Sequence, residues 1–186
     1  MRDGDSLRRL FERQTIPVIV IAVLAVVTLA VVMGIGPFGE PTPPESIDDA
    51  TVTLETGLCN GTCPVYRIEV CGDGTVHYLG RGYTETAGYE RYEISDETVR
   101  DLVETIYRQD FFAMDRRYGF GAADAQPTTV TVTVGGRQKT VAQLGRAGPE
   151  GLQRIQVAIE EIAGQRIAHN RSQRIRQPSL TDDQRC

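Results

Sequence analysis

Few residues in this chain of 186 could do chemistry, and most of them lie in one stretch. Cys59 and Cys63 bracket Asn60-Gly61-Thr62 in the run CNGTCPVY, with Cys71 and His77 further along. Three chemistries compete for such a set: a disulfide, a zinc site and a reactive dithiol. A redox dithiol calls for Cys-x-x-Cys at a helix N-terminus in a βαβ setting, where the helix lowers a thiol pKa. Here the spacing is Cys-x-x-x-Cys, and the chain runs on into a strand pattern. Zinc would take Cys59, Cys63, Cys71 and His77 as three sulfurs and a nitrogen, and the first spacing suits it. Against zinc, Cys71 and His77 flank a hairpin turn with no built-in reason to converge, and Cys71 points away from the strand's apolar face. Outside the cytoplasm neighbouring thiols oxidise, and Gly61 gives the short loop the freedom that closure needs. The reading adopted is a Cys59–Cys63 disulfide, with no metal and no cofactor. A pairing through Cys71, the zinc set and the dithiol stand as alternatives, and the roles of Cys71 and Cys186 stay open.

Other chemistry is sparse, and no catalytic residue is assigned. Within the patterned part of the chain Ser95 is the only serine, and its place suits a helix cap. His77 stands alone on a strand and His169 lies in a polar tail, so no nucleophile–base–orienter set forms. Glu160 and Glu161 are helix neighbours pointing in different directions, which describes a solvated face better than an acid–base pair. Asn170-Arg171-Ser172 and Asn60-Gly61-Thr62 match the glycosylation acceptor pattern, and Asn170 is the more accessible of the two. A chance match in a tail and a turn is the blander reading of both.

The elements that must position these residues begin with an uncharged run from Gln14 to Gly39. A helix needs about 20 apolar residues to cross a bilayer core. Residues 15–36 are therefore expected to form a transmembrane signal anchor, with a cleaved signal peptide as the rival. Arg2, Arg8, Arg9 and Arg13 precede the run, and the next basic residue is Arg67. That asymmetry puts the N-terminal segment inside and the remainder outside a cell membrane crossed once. Residues 37–49 hold four prolines and four acids, a composition that suits an extended spacer. The formal net charge is -5, and no basic stripe is interleaved with aromatics, so nucleic acid is excluded as a partner.

Regular patterning starts at Thr51. Val52 and Leu54 share one face, and Tyr66, Ile68 and Val70 alternate against Arg67 and Glu69. Gly72-Asp73-Gly74 turns the chain into a strand over Thr75–Leu79, so 65–80 reads as a hairpin. Tyr89–Ile94 gives a weaker strand. Ser95 then caps a helix whose stripe is Val99, Leu102, Val103 and Ile106. TTVTVTV at 128–134 is the clearest strand, Gly135-Gly136 turns it into 138–143, and Pro149 opens a helix with Leu152, Ile155, Ile159 and Ile162 inward. Strand groups each followed by a helix predict an α+β fold. It has two layers, an antiparallel sheet of about six strands with two helices on one face, behind the transmembrane helix. The globular domain spans 50–167, and 168–186 is a polar, disordered tail.

The blocks C-N-G-T-C-P-V-Y, G-D-G-T-V-x-Y, D-F-F, Asp124–Pro127 and Lys139-Thr140-Val141 together resemble the domain of unknown function 6438 family, over about residues 50–165. That resemblance implies a bacterial or archaeal envelope protein with no assigned activity, and Cys71 departs from the family pattern. The functional reading is a non-catalytic binding or sensory module facing outward. It is tethered to the membrane through one helix and partnered by an envelope protein or ligand of unknown identity. The alternative is an envelope thiol–disulfide factor, or another enzyme, using Cys59 and Cys63.

Overall fold

The computed structural model describes residues 20–21, 24–26, 42–119, 121, 124–164 and 186. It divides into two units, Met1–Glu40 and Pro41–Cys186. In the first unit, residues 20–21 and 24–26 are helical and exposed. No helix among the described residues is long and apolar enough to cross a membrane. The expected transmembrane helix is corrected accordingly, and the rest of 15–36 lies outside the described residues. That expectation rested on the length of an uncharged run. Composition sets the hydrophobicity of that run but not the extent of one continuous helix, and of the run only Val20, Ile21, Leu24, Ala25 and Val26 are described, all helical.

The second unit is one sheet with helices against it. Its strands are β1 (Thr51–Thr56), β2 (Val65–Cys71), β3 (Thr75–Gly82), β4 (Gly88–Glu93), β5 (Arg117–Tyr118), β6 (Pro127–Val134) and β7 (Arg137–Leu144). The helices are α1 (Asp96–Arg108) and α2 (Glu150–Ala163), with a 3-10 turn at Phe111–Ala113. The sheet order is β4-β3-β2-β1-β6-β7-β5. The fold is α+β, but the sheet has seven strands rather than six and is mixed, because β5 runs parallel to β7. Two residues with no apolar alternation carry no strand signal, so β5 is invisible to periodicity.

Register explains the core. Val52 faces Val70 on one side and Val132 on the other, and Leu54 faces Ile68 and Val130. Val76 and Tyr78 extend these rows through β3, and Val141 extends the second through β7. All these side chains are buried on one face, each contributing about 1.5–3 kcal/mol on leaving water. Two amphipathic helices cover that face. In α1 the Ser95 hydroxyl accepts from the Thr98 amide at 3.2 Å, and Val99, Leu102, Val103 and Ile106 point inward. In α2 the inward residues are Leu152, Ile155, Ile159 and Ala163.

The end of the proline-rich segment is part of the folded unit. Ile47 is buried in the core, and both carboxylate oxygens of Asp49 accept from the Gly135 and Gly136 amides, at 3.2 and 3.1 Å. At Gly72 a Cβ would stand 2.1 Å from the Ile47 carbonyl oxygen, so only glycine admits this crossing. One apolar residue among prolines and acids gives no period, which is why this docking escapes pattern reading.

Leu54→Ala should lower stability by about 2–5 kcal/mol in urea unfolding, as for a fully buried leucine at the sheet's centre. Thr131→Ala, which removes only the hydroxyl pair with Thr140 at 2.9 Å, should lower it by about 1 kcal/mol or less.

Candidate functional site

Three places in the folded unit gather polar chemistry. The first is the loop between β1 and β2. Cys59 and Cys63 are bonded to each other there, with Cα atoms 5.9 Å apart. Hydrogen bonds fix the loop's two ends. The Thr56 hydroxyl donates to the Pro64 carbonyl at 3.0 Å and accepts from the Tyr66 amide at 3.1 Å. Gln126 Nε2 donates to the Gly57 carbonyl at 3.0 Å and to the Pro64 carbonyl at 2.7 Å, clasping both sides of the loop. Asn60 Nδ2 donates to Asp124 Oδ1 at 3.2 Å, while Asn170 lies outside the described residues. The next element is strand β2, so among the described residues the sulfurs are followed in the chain by a strand and not by a helix N-terminus. Just beyond, Tyr66 donates through its hydroxyl to Glu160 Oε1 at 2.6 Å. Burial first, then the Glu160 charge, pushes the Tyr66 hydroxyl far above its ordinary pKa. Glu160 thus has a partner on the sheet, whereas its neighbour Glu161 is exposed as a solvated face requires.

At the opposite end of β2 lies the second place. Cys71 closes the strand and is bonded to Cys186, a pairing that spans 115 positions. All four cysteines are therefore paired. The hairpin pairs Glu69 with His77 and Val70 with Val76, so Cys71 and His77 are diagonal neighbours on one face. Tight register across the three-residue turn Gly72-Asp73-Gly74 supplies the convergence that spacing alone did not reveal. His77 is buried, and its Nδ1 lies 2.8 Å from the Tyr89 hydroxyl. Burial chiefly lowers the His77 pKa, with Glu69 opposing and Arg91 adding to the effect. The Cys186 amide donates to Glu69 Oε1 at 3.0 Å. Cys71, His77 and Cys186 open on a cleft of about 390 Å³ that also includes Asp49, Asp73 and Arg91. Cys59 and Cys63, by contrast, lie before β2, whose seven residues at about 3.3 Å each separate them from Cys71. The four-residue zinc set Cys59, Cys63, Cys71 and His77 is thus not brought together.

The third place is a cleft of about 560 Å³ beside β7, lined by Phe112, Arg116, Arg137, Gln138, Lys139 and Thr140. Lys139, the chain's one lysine, donates through Nζ to the Phe112 carbonyl at 2.9 Å and to that of Met114. The Arg137 guanidinium lies over the Phe112 ring, 4.3 Å from its centroid. Arg116 is held by its carbonyl, which accepts from the Ala142 amide of β7 at 2.9 Å, immediately before β5. None of these three cations pairs with a carboxylate among the described residues. Arg67, Arg81, Arg108 and Arg154 each do. Sequence reading missed Arg116 and Arg137, because what joins them is the parallel strand β5 and the 3-10 turn.

A profile of the family described as "Domain of unknown function (DUF6438)" matches residues 50–163, well over half of the chain. The chain belongs to that family. No curated protein matches it.

Two outcomes follow from this geometry. The two glycine amides hold the Asp49 carboxyl below its ordinary value of 3.8. The stability it contributes is present above about pH 3.8 and lost as pH falls through the lower folded-state value. Unfolding free energies of Asp49→Ala should accordingly fall less steeply on acidification than those of the natural chain. Replacing Cys59 and Cys63 together by serine should lower stability by about 1–3 kcal/mol, because so short a loop removes little entropy from the unfolded chain. Far-UV circular dichroism should show the sheet still assembled; its loss would mean that the bridge is needed for folding itself.

Proposed function

We propose that this domain is a non-catalytic binding module, working in an oxidising compartment outside the cytoplasm, that takes an anionic group of its ligand in the cleft beside β7. The observation that carries this reading is the set of Arg116, Arg137 and Lys139 without a carboxylate partner among the described residues, in a chain whose formal net charge is -5. An arginine fork matches the two oxygens of a carboxylate or phosphate edge. Stacking on Phe112 orients the Arg137 fork before any ligand arrives, which reduces the ordering that binding requires. Lys139 spends donors on two carbonyls and contributes chiefly charge. The compartment is argued from the cysteines, since a fully paired set suits an oxidising environment. Non-catalytic use is favoured because His77, the one described histidine, has the Tyr89 hydroxyl as its hydrogen-bond partner rather than a nucleophile paired with a base.

Titration of the full chain with inorganic phosphate and with acetate, followed by amide chemical shifts, tests the reading. Saturable shifts at Phe112, Arg137 and Lys139 are expected. Arg116→Ala and Arg137→Ala should each weaken binding about tenfold, as for a charge-assisted hydrogen bond. Shifts spread over the whole surface, or unchanged by both substitutions, would overturn it.

A further inference from the structure

We propose that Cys71, His77 and Cys186 form a redox-gated site for a soft divalent metal ion such as Zn²⁺. One ligand atom from each of these residues lies within 4.8 Å of the other two. A tetrahedral zinc with Zn–S near 2.3 Å and Zn–N near 2.0–2.1 Å needs ligand atoms about 3.6–3.8 Å apart. Separating the bonded sulfurs and closing up the imidazole therefore takes movements of about 1–2 Å, within the reach of side chains.

The set is built as well as close. Cys71 and His77 sit on adjacent strands at a tight hairpin, so two of the three ligands are fixed by sheet register. The hydrogen bond between Tyr89 and His77 Nδ1 leaves Nε2 as the free nitrogen, and a partner on the other ring nitrogen sets the orientation of a metal-bound imidazole. The Cys186 amide is tied to Glu69, which is itself paired with Arg67 at 2.5 Å. That anchor keeps Cys186 beside Cys71 when the bond between the sulfurs opens. The adjoining cleft gives an ion a path in and leaves room for water as the fourth ligand. Cys59 and Cys63 have no imidazole beside them and form no such set among the described residues.

The gate is the bond between the two sulfurs. In the oxidised chain neither sulfur is a thiolate, and the site offers a single imidazole. A dithiol or phosphine reductant supplies two electrons, and with two protons the bond becomes two thiols. Binding M²⁺ as the dithiolate then releases those two protons, and the pair of thiolates balances the charge of the metal. Reoxidation by a small-molecule disulfide forms the protein's disulfide again, passes two electrons to that reagent, which leaves as two thiols after taking two protons from water, and expels the ion.

The test uses the full chain with Cys59 and Cys63 both replaced by serine. It is reduced with tris(carboxyethyl)phosphine, freed of reductant without air, and titrated with Co²⁺. One equivalent should bind, with thiolate-to-cobalt charge transfer in the near ultraviolet and the strong visible bands of a tetrahedral ion. The oxidised chain should show neither. His77→Ala and the bulkier His77→Gln should each weaken binding at least tenfold, and Tyr89→Phe should weaken it about tenfold through the ring's orientation. Unchanged affinity and spectrum in both His77 variants would overturn the proposal, as would a reduced chain without the charge-transfer band. Should the double serine chain fail to fold, the reduced natural chain is compared with its Cys186→Ser variant. There the cobalt stoichiometry should fall by one, and equal stoichiometry would sink the idea.

Discussion

Strand β1 is hydrogen-bonded on both sides, to β2 and to β6, and it joins the two halves of the sheet. Val52 and Leu54 therefore have apolar partners on either flank, and each sits at the centre of a row crossing the sheet. The constraint is demanding in chain terms. Thr51 must meet Cys71 across a short hairpin-like excursion, but must also meet Thr133 from far along the chain. Such a distant pairing requires loop closure before any burial repays it, so the β1–β6 ladder has the signature of a late, cooperative step in folding. Both cysteine loci grow from the ends of this strand. Beyond Thr56 lies the loop closed by Cys59 and Cys63; level with Thr51 lies Cys71 and the cleft shared with His77.

The two faces of the sheet treat polar groups differently. On the helix-covered face the rows through Val52 and Leu54 are aliphatic or aromatic across β3, β2, β1 and β6, and in β7 Lys139 stands opposite Val132. A lysine there is tolerable because two carbonyls receive its ammonium, one on either side of the 3-10 turn's end. On the other face Glu55 bridges Arg67 and Arg81, and Arg67 continues to Glu69. These arginines are consumed by the sheet itself. Arg116 and Arg137 have no carboxylate partner among the described residues, and under the proposed reading that contrast, rather than the number of cations, is what marks the cleft beside β7.

How much of this was legible in the sequence depended on the range of the interaction. Alternation over Thr51–Glu55 and Thr128–Val134, and the stripe Val99, Leu102, Val103 and Ile106, report local geometry and match the elements seen. The loop at Cys59 lies between the alternating strands β1 and β2 and could be placed from its spacing. Hidden features share a different origin. Gln126 clasps the loop from another strand's approach, Asp49 caps a turn more than eighty residues away, and β5 is defined only by its neighbour. Each is fixed by tertiary partners rather than by period, and a single polar residue carries no periodic trace. The apolar run at the start shows the converse error: strong composition invited a continuous spanning helix that the described residues do not contain.

The two disulfides differ in what they close. Cys59 and Cys63 are four positions apart, whereas Cys71 and Cys186 are 115 apart. In the chain-entropy account a loop of about 100 residues restricts the unfolded chain by about 4.7 kcal/mol, against about 3 for a loop of 15 and less for a shorter one. The long bridge is thus the larger constraint, and it is the one with an imidazole beside it. A metal ion held by Cys71, His77 and Cys186 closes the same long loop through coordination instead of a covalent bond. Reduction then exchanges one cross-link for another while metal is present, and where it is absent leaves only the hydrogen bond from the Cys186 amide to Glu69 in place of the bridge. The position of His77 beside the long bridge, with no counterpart beside the short one among the described residues, makes that exchange specific to one of the two bridges.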